Sequence, residues 1–182
     1  MERLLKGIEK YFIIFMMYSI LGWIFEELYY LLMLHKIVNR GLLFGPYLPV
    51  YGIGIVIAYK LLWKFKNRKH RIWKIDFTPI WIFIAIFILS TIVEYISHYL
   101  LDTFFDIELW DYSKKFCNIN GRVCLLTSSL FAVGGLFAFY YIQPKFERFY
   151  YKSKDKTKHL LCLILLIILF IDLICTLLFK QF

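Results

Sequence analysis

Apolar residues in this chain come in long unbroken runs, and short polar segments separate them. Runs of about 20 residues are long enough to cross a bilayer core as helices. Five candidate spans follow from the pattern, at about 11–34, 47–63, 79–101, 122–143 and 160–179. Pro79 opens the third, where proline suits a first helical turn, and Pro144 is expected to close the fourth. The fifth is the most apolar. The pattern predicts an all-α membrane protein of about five transmembrane helices, forming a single integral membrane domain over residues 1–182. The first run is too long for the apolar core of a signal peptide and lacks a small-x-small cleavage site, so it is expected to stay as a span.

Composition sharpens this picture. Of 182 residues, 61% are hydrophobic and 19% charged, against about half and a quarter in soluble domains. Aromatic residues make up 21%. A soluble enzyme, a disulfide-stapled secreted module and a disordered chain are excluded. Lipid is the expected surrounding, and no span-sized length is left for a separate soluble domain.

The net charge of +9 would suggest nucleic acid in a soluble protein. Here the lysines and arginines cluster between the apolar runs, so membrane topology is the simpler cause and no nucleic-acid partner is expected. Segments 1–10, 64–76 and 144–159 carry fifteen of them, and the alternate segments 35–46, 102–121 and the tail carry five. The positive-inside rule then places the N-terminus inside and the C-terminus outside.

Four carboxylates fall inside candidate spans: Glu26, Glu27, Glu94 and Asp172. Each costs roughly 2.5–3.5 kcal/mol at the centre of a membrane helix, so their faces should point into the bundle or a wet cavity. Glu26 shares a face with Gly22 and Tyr18, and Glu94 with Ser90, Ser97 and His98. Arg40 and Arg122 are their natural partners in depth. Two readings stay open. Glu–Arg pairs only fix helix packing, or Glu26, Glu94, Arg40 and Arg122 face a shared polar pocket near the outer face. Glu27 is expected at the edge and solvated, and Asp172 packs against the bundle. His98, four residues from Glu94, is a candidate hydrogen-bond partner for it. Neither the histidines nor Cys117, Cys124, Cys162 and Cys175 show metal-ligand spacing, so no metal, cofactor or disulfide is expected.

Segment 41–54 holds two prolines and four glycines, too many for a regular helix start. Irregular backbone at membrane depth survives only when buried in protein or lining a cavity. Residues 39–52 are therefore read as a re-entrant or folded loop, with an ordinary interhelical loop as the alternative. Ser128, Ala132 and Gly135 form a small-residue face for close helix packing. The order helix, polar loop, helix, basic loop occurs twice. Each time a Glu (26 or 94) comes late in the first helix, and an Asn/Gly/Arg cluster (39–41 or 120–122) precedes the second. A parallel two-helix repeat plus a fifth helix is one account; chance is the other.

The strings Tyr18-Ser19, Gly22-Trp23, Glu26, Asn39-Arg40-Gly41, Gly45-Pro46, Pro49 and Tyr51-Gly52 resemble a known family, the "Putative ABC-transporter type IV" membrane proteins. Glu94, Trp110-Asp111-Tyr112-Ser113, Asn118, Gly121-Arg122 and Ser128 resemble it too. The resemblance covers about residues 11–145. The chain departs from the family's pattern at Asn120 and at Leu130-Phe131. The resemblance implies the permease part of an ABC transporter in a bacterial cytoplasmic membrane, crossing it several times. It brings no substrate and no catalytic residue. The pocket candidates are Glu26, Asn39, Arg40, Glu94, His98, Trp110, Asp111, Tyr112, Asn118 and Arg122.

Three functions are consistent with these residues. A permease subunit needs a separate ATPase partner, because no G-x-x-x-x-G-K-[ST] loop is present, and five spans suggest a homodimer. An outer-leaflet enzyme would use Glu26 and Glu94 as acid and base and the arginines to hold an anionic headgroup. A scaffold or accessory protein would use the charged pairs only as glue.

Overall fold

The computed structural model describes residues 2–35, 41–68, 71–72, 75–108 and 110–179, which form five helices and two minimal β-hairpins. In chain order these are α1 (Glu2–Leu34), α2 (Pro49–Lys66), α3 (Thr78–Phe105), α4 (Leu125–Lys152) and α5 (Asp155–Phe179). Strands β1 (Arg71–Ile72) and β2 (Ile75–Asp76) pair antiparallel before α3. Strands β3 (Asn118–Ile119) and β4 (Val123–Cys124) pair antiparallel before α4. Among the described residues, four helices are long and apolar enough to cross a membrane: α1 over Leu4–Leu32, and α3, α4 and α5 over their full lengths. The chain is an all-α membrane protein. The shorter α2 has 18 residues and carries Lys60, Lys64 and Lys66 in its second half.

The chain divides into two compact units. One comprises 1–56 and 150–182, the other 57–149. In the first, α1 packs against α5. Its core joins Met16 of α1 to Leu43 and Tyr47 of the loop before α2, with Phe12, Phe15, Leu165 and Leu169 around them. The start of α2 lies close against α1 at Gly52. A Cβ there would run into the Ser19 side chain and the Phe15 carbonyl oxygen. At the far end of this unit, His159 Nδ1 lies 2.6 Å from Glu9, and Lys6 pairs with Asp155 at 3.1 Å.

In the second unit, α3 packs against α4. The small-residue face does what small residues allow. Ser128 and Ala132 are buried, and Gly135 leaves room for the Ile86 side chain. Asp76 caps α3, its Oδ1 accepting from the Thr78 backbone N–H at 3.0 Å and from Thr78 Oγ1 at 2.5 Å. Pro79 sits in the first turn, where its missing N–H costs nothing. The helix closes at Asp106, which adopts φ 52°. The Asp106 N–H bonds the Asp102 carbonyl, the 5→1 bond of an αL ending, and the Ile107 N–H bonds the Leu101 carbonyl, each at 3.2 Å.

Pro144 does not end α4 as expected from the sequence; the helix runs on to Lys152. A π-turn at Ala138–Ile142 precedes it, in which the Gln143 N–H reaches the Ala138 carbonyl. The next bond of that ladder would run from residue 144 to the Phe139 carbonyl, and proline has no N–H to give. Lys66 Nζ supplies the donor instead, 2.8 Å from the Phe139 oxygen. Its ammonium also lies 4.4 Å from the Trp63 ring centre and 4.9 Å from that of Tyr140.

Candidate functional site

The loop 41–48 in the first unit is folded, with Gly41, Leu43 and Tyr47 buried, as the density of glycine and proline suggested. Its backbone donors need partners in an apolar setting. Asp172, on α5, takes up two of them and one side-chain hydroxyl. Its carboxylate accepts from the Phe44 N–H at 3.2 Å, the Gly45 N–H at 3.0 Å and the Tyr47 hydroxyl. The Leu48 N–H goes to the Ser19 carbonyl of α1 at 2.9 Å. Glu26 accepts from the Tyr51 hydroxyl at 2.5 Å. Asp172 is thus the anchor of this loop rather than a residue merely packed in the bundle. Sequence reasoning missed that role, because nothing in the α5 run points to a loop more than 120 residues earlier. Glu27 is half-buried rather than solvated at an edge, and its Oε2 has no hydrogen-bond partner among the described residues.

The second unit carries the more open construction, in the segment 106–124 between α3 and α4. Two tight features shape it. Asp111 accepts from the Ser113 N–H at 2.8 Å and from Ser113 Oγ at 3.0 Å, folding the WDYS string back on itself. These bonds hold the Asp111 carboxyl below the usual carboxylate range, the backbone N–H first and the hydroxyl second. Between β3 and β4, Asn120 (φ 52°) and Gly121 (φ 70°) take the two positive-φ positions that a type I′ turn demands. The Arg122 N–H closes that turn on the Ile119 carbonyl at 3.1 Å. Asn118 ties the two features together. Its Nδ2 donates to the Ser113 and Lys115 carbonyls at 3.0 and 2.9 Å, and its Oδ1 accepts from the Gly121 N–H at 3.1 Å.

Trp110 and Arg122 fasten this cap to α3. Trp110 Nε1 donates to the Arg122 carbonyl at 2.7 Å, and the Trp110 carbonyl accepts from His98 Nε2 at 2.9 Å. The two rings meet edge to face at 5.4 Å. Arg122 pairs with Asp102 at 2.8 Å, and its guanidinium lies 5.5 and 5.0 Å from the ring centres of Tyr95 and Tyr99. Beneath the cap is an open cleft of about 250 Å³, walled by His98, Asp102, Glu108, Trp110, Asp111 and Arg122 together with Ser113, Asn120 and Gly121.

Four residues singled out from the sequence, His98, Trp110, Asp111 and Arg122, therefore meet at one cleft. Tyr112 stacks on Trp110 at 6.5 Å and gives its N–H to the Gly121 carbonyl at 2.7 Å, while Asn118 braces the loop. Glu94 is buried on α3, 4% exposed. Glu26 belongs to the other unit, and Asn39 and Arg40 lie outside the described residues. His98 does not hydrogen-bond Glu94 as expected. It reaches the other way, one helical turn up to the cap, and its Nδ1 has no hydrogen-bond partner among the described residues. Asp102 and Glu108 were missed. Asp102 sits one turn after His98 on the same face, and that spacing was the available signal. Among the described residues no three His, Cys, Asp or Glu side chains are grouped to hold a metal, and all four cysteines are free.

No curated protein and no solved structure matches the chain. A family model described as "Putative ABC-transporter type IV" matches residues 13–177. That stretch takes in most of α1, all of α2 to α4, nearly all of α5, the Asp172-anchored loop and the cap. The chain is a member of the Putative ABC-transporter type IV family, a transporter-related membrane protein.

Proposed function

We propose that this chain is the permease-type membrane subunit of a transporter, with the cleft under the 106–124 cap as its substrate-contact site on the extracytoplasmic side. The observation that carries the reading is a folded polar cleft set at the ends of apolar helices, in a chain of a transporter-related family. A cap built from an Asx turn, a type I′ turn and a bridging asparagine is more structure than a passive connection needs. In this reading α2 is a fifth span. Its lysines run their stems along apolar surface and put their ammonium groups at the interface. The N-terminus is inside and the C-terminus outside, following the fifteen basic residues of segments 1–10, 64–76 and 144–159. The host is a bacterial cytoplasmic membrane. ATP hydrolysis comes from a separate subunit, and two copies of the chain build one translocation path.

The test is gentle affinity purification of the tagged chain from native membranes, with identification of co-purifying proteins and an ATPase assay. A stoichiometric ATPase is the expected outcome. A well-folded preparation that yields none overturns the permease reading. Single-cysteine labelling from either side of the membrane at Ser113 and at Lys152 checks the orientation, with Ser113 expected to react from outside.

A further inference from the structure

The cleft under the cap is unevenly supplied with hydrogen-bonding groups, and the imbalance specifies a class of ligand. Each side-chain donor group in its wall already gives at least one internal hydrogen bond. Arg122 gives to Asp102 and Tyr95, Asn120 gives to Tyr95 Oη at 3.0 Å, Ser113 Oγ gives to Asp111, and Trp110 Nε1 gives to the Arg122 carbonyl. The acceptors are in surplus. Arg122 answers Asp102, but two further carboxylates, Asp111 and Glu108, line the same wall. The bonds from Ser113 leave Asp111 with lone pairs to spare and keep it ionised well into the acid range.

His98 adds an independent acceptor. It is 6% exposed and lines the cleft from α3. Its Nε2 faces a carbonyl oxygen, which can only accept, so Nε2 carries the proton. In the neutral ring Nδ1 is then a bare lone pair, buried and with no hydrogen-bond partner among the described residues. A buried polar atom of this kind costs free energy until something donates to it. Trp110, in the same wall, offers an aromatic surface that favours cations. With no metal grouping among the described residues, a bare divalent ion does not fit.

The geometry points to a small organic cation bearing N–H donors, a primary ammonium group, as the ligand of this cleft. Asp111 and Glu108 supply the charge, His98 Nδ1 an acceptor and Trp110 a cation-binding surface. The inference rests on reading the cleft as the substrate-contact site. At about 250 Å³ the cleft is smaller than the roughly 300–1,000 Å³ typical of drug-sized sites, which restricts it to a compact headgroup or a free small amine. Both sources share the same chemistry.

Calorimetry on the full-length protein in lipid nanodiscs tests this, with ethylammonium as probe and sodium as a cation of equal charge without N–H donors. Saturable binding of ethylammonium, absent with sodium, is expected, with affinity reduced about tenfold by Glu108→Gln and by Asp111→Asn. Glu108 is exposed and makes no hydrogen bond or ion pair within the cap among the described residues, so Glu108→Gln keeps the test decisive if Asp111→Asn loosens the loop. Binding suppressed in phosphatidylethanolamine nanodiscs but present in phosphatidylcholine supports a lipid headgroup as the source of the ammonium. Equal binding in both supports a free amine. Heats indistinguishable from sodium, or affinity unchanged in Glu108→Gln, overturn the inference. An ATPase partner without amine binding would leave the permease reading standing and this one overturned. Amine binding without an ATPase partner would do the reverse.

Discussion

The two structured loops solve the same problem in opposite ways. Loop 41–48 turns inward. Leu43 and Tyr47 are buried with Met16, and one carboxylate from a distant helix, Asp172, takes up three of its donors, while the Leu48 N–H goes to Ser19. The 106–124 cap turns outward. It satisfies its polar groups with its own neighbours, Asp111 with Ser113 and Asn118 with Gly121, and leaves carboxylates along an open cleft. A loop held by one long-range partner should fail as a unit when that partner is lost. A loop held by many local bonds should loosen by degrees.

The comparison breaks most sharply at Asp172. Asp172→Ala removes the acceptor of the part-buried Gly45 N–H and Tyr47 hydroxyl, at about 1–3 kcal/mol each, and that of the exposed Phe44 N–H, which water can serve. A loss of about 3 kcal/mol or more is expected, or about 6–12 °C in Tm. A single cysteine placed at the buried Leu43 should become reactive to thiol reagents in this variant. If that cysteine stays protected, the loop does not depend on Asp172.

Gly121→Ala probes the cap. Position 121 has φ 70°, and a Cβ there would sit 3.1 Å from Asp111 Oδ1. The left-handed conformation costs roughly 1–2 kcal/mol with a side chain, and the crowding adds to that. Faster hydrogen exchange is expected across 110–122, with no change at 41–48. Arg122→Lys is milder. It keeps the charge opposite Asp102 but loses the flat guanidinium over Tyr95 and Tyr99. The pair is partly exposed, so about 1 kcal/mol or less is expected, read as a modest rise in exchange at Trp110.

Acid gives the smallest effect and the clearest sign. The folded Asp111 carboxyl has a depressed pKa, so its contribution is fully present above the unfolded value near 4 and disappears as pH falls through the lower folded value. Exchange in the cap should rise only below about pH 4. Onset near neutral pH would point to a different group.

The long helices were legible because runs of about 20 apolar residues have few other outcomes. The folded nature of loop 41–48 was legible from its glycines and prolines, although residues 49–52, read as part of the same loop, open the regular helix α2, and four cleft residues were legible from their chemistry. What escaped were bonds set by distance in space. Asp172 reads as an isolated acid in an apolar run until the loop it serves is seen. Where α4 runs on past Pro144, the carbonyl left without its N–H is served by Lys66, which belongs to another helix. His98 was matched with the carboxylate before it, although its ring reaches a carbonyl twelve residues later.

The bonds from loop 41–48 to Asp172 also impose an order of events during synthesis. The loop leaves the ribosome 125 to 128 residues before its acceptor does. At about 5–20 residues per second, its amides wait roughly 6–25 s for a partner. Throughout that interval hydrocarbon is closed to them, so the segment must be parked in the headgroup layer or held by the insertion machinery. It can settle into the protein only when α5 arrives. The packing of this loop therefore waits on a helix made long after it, and a ribosome stalled before Asp172 would leave behind helices already inserted around a loop with nowhere to go.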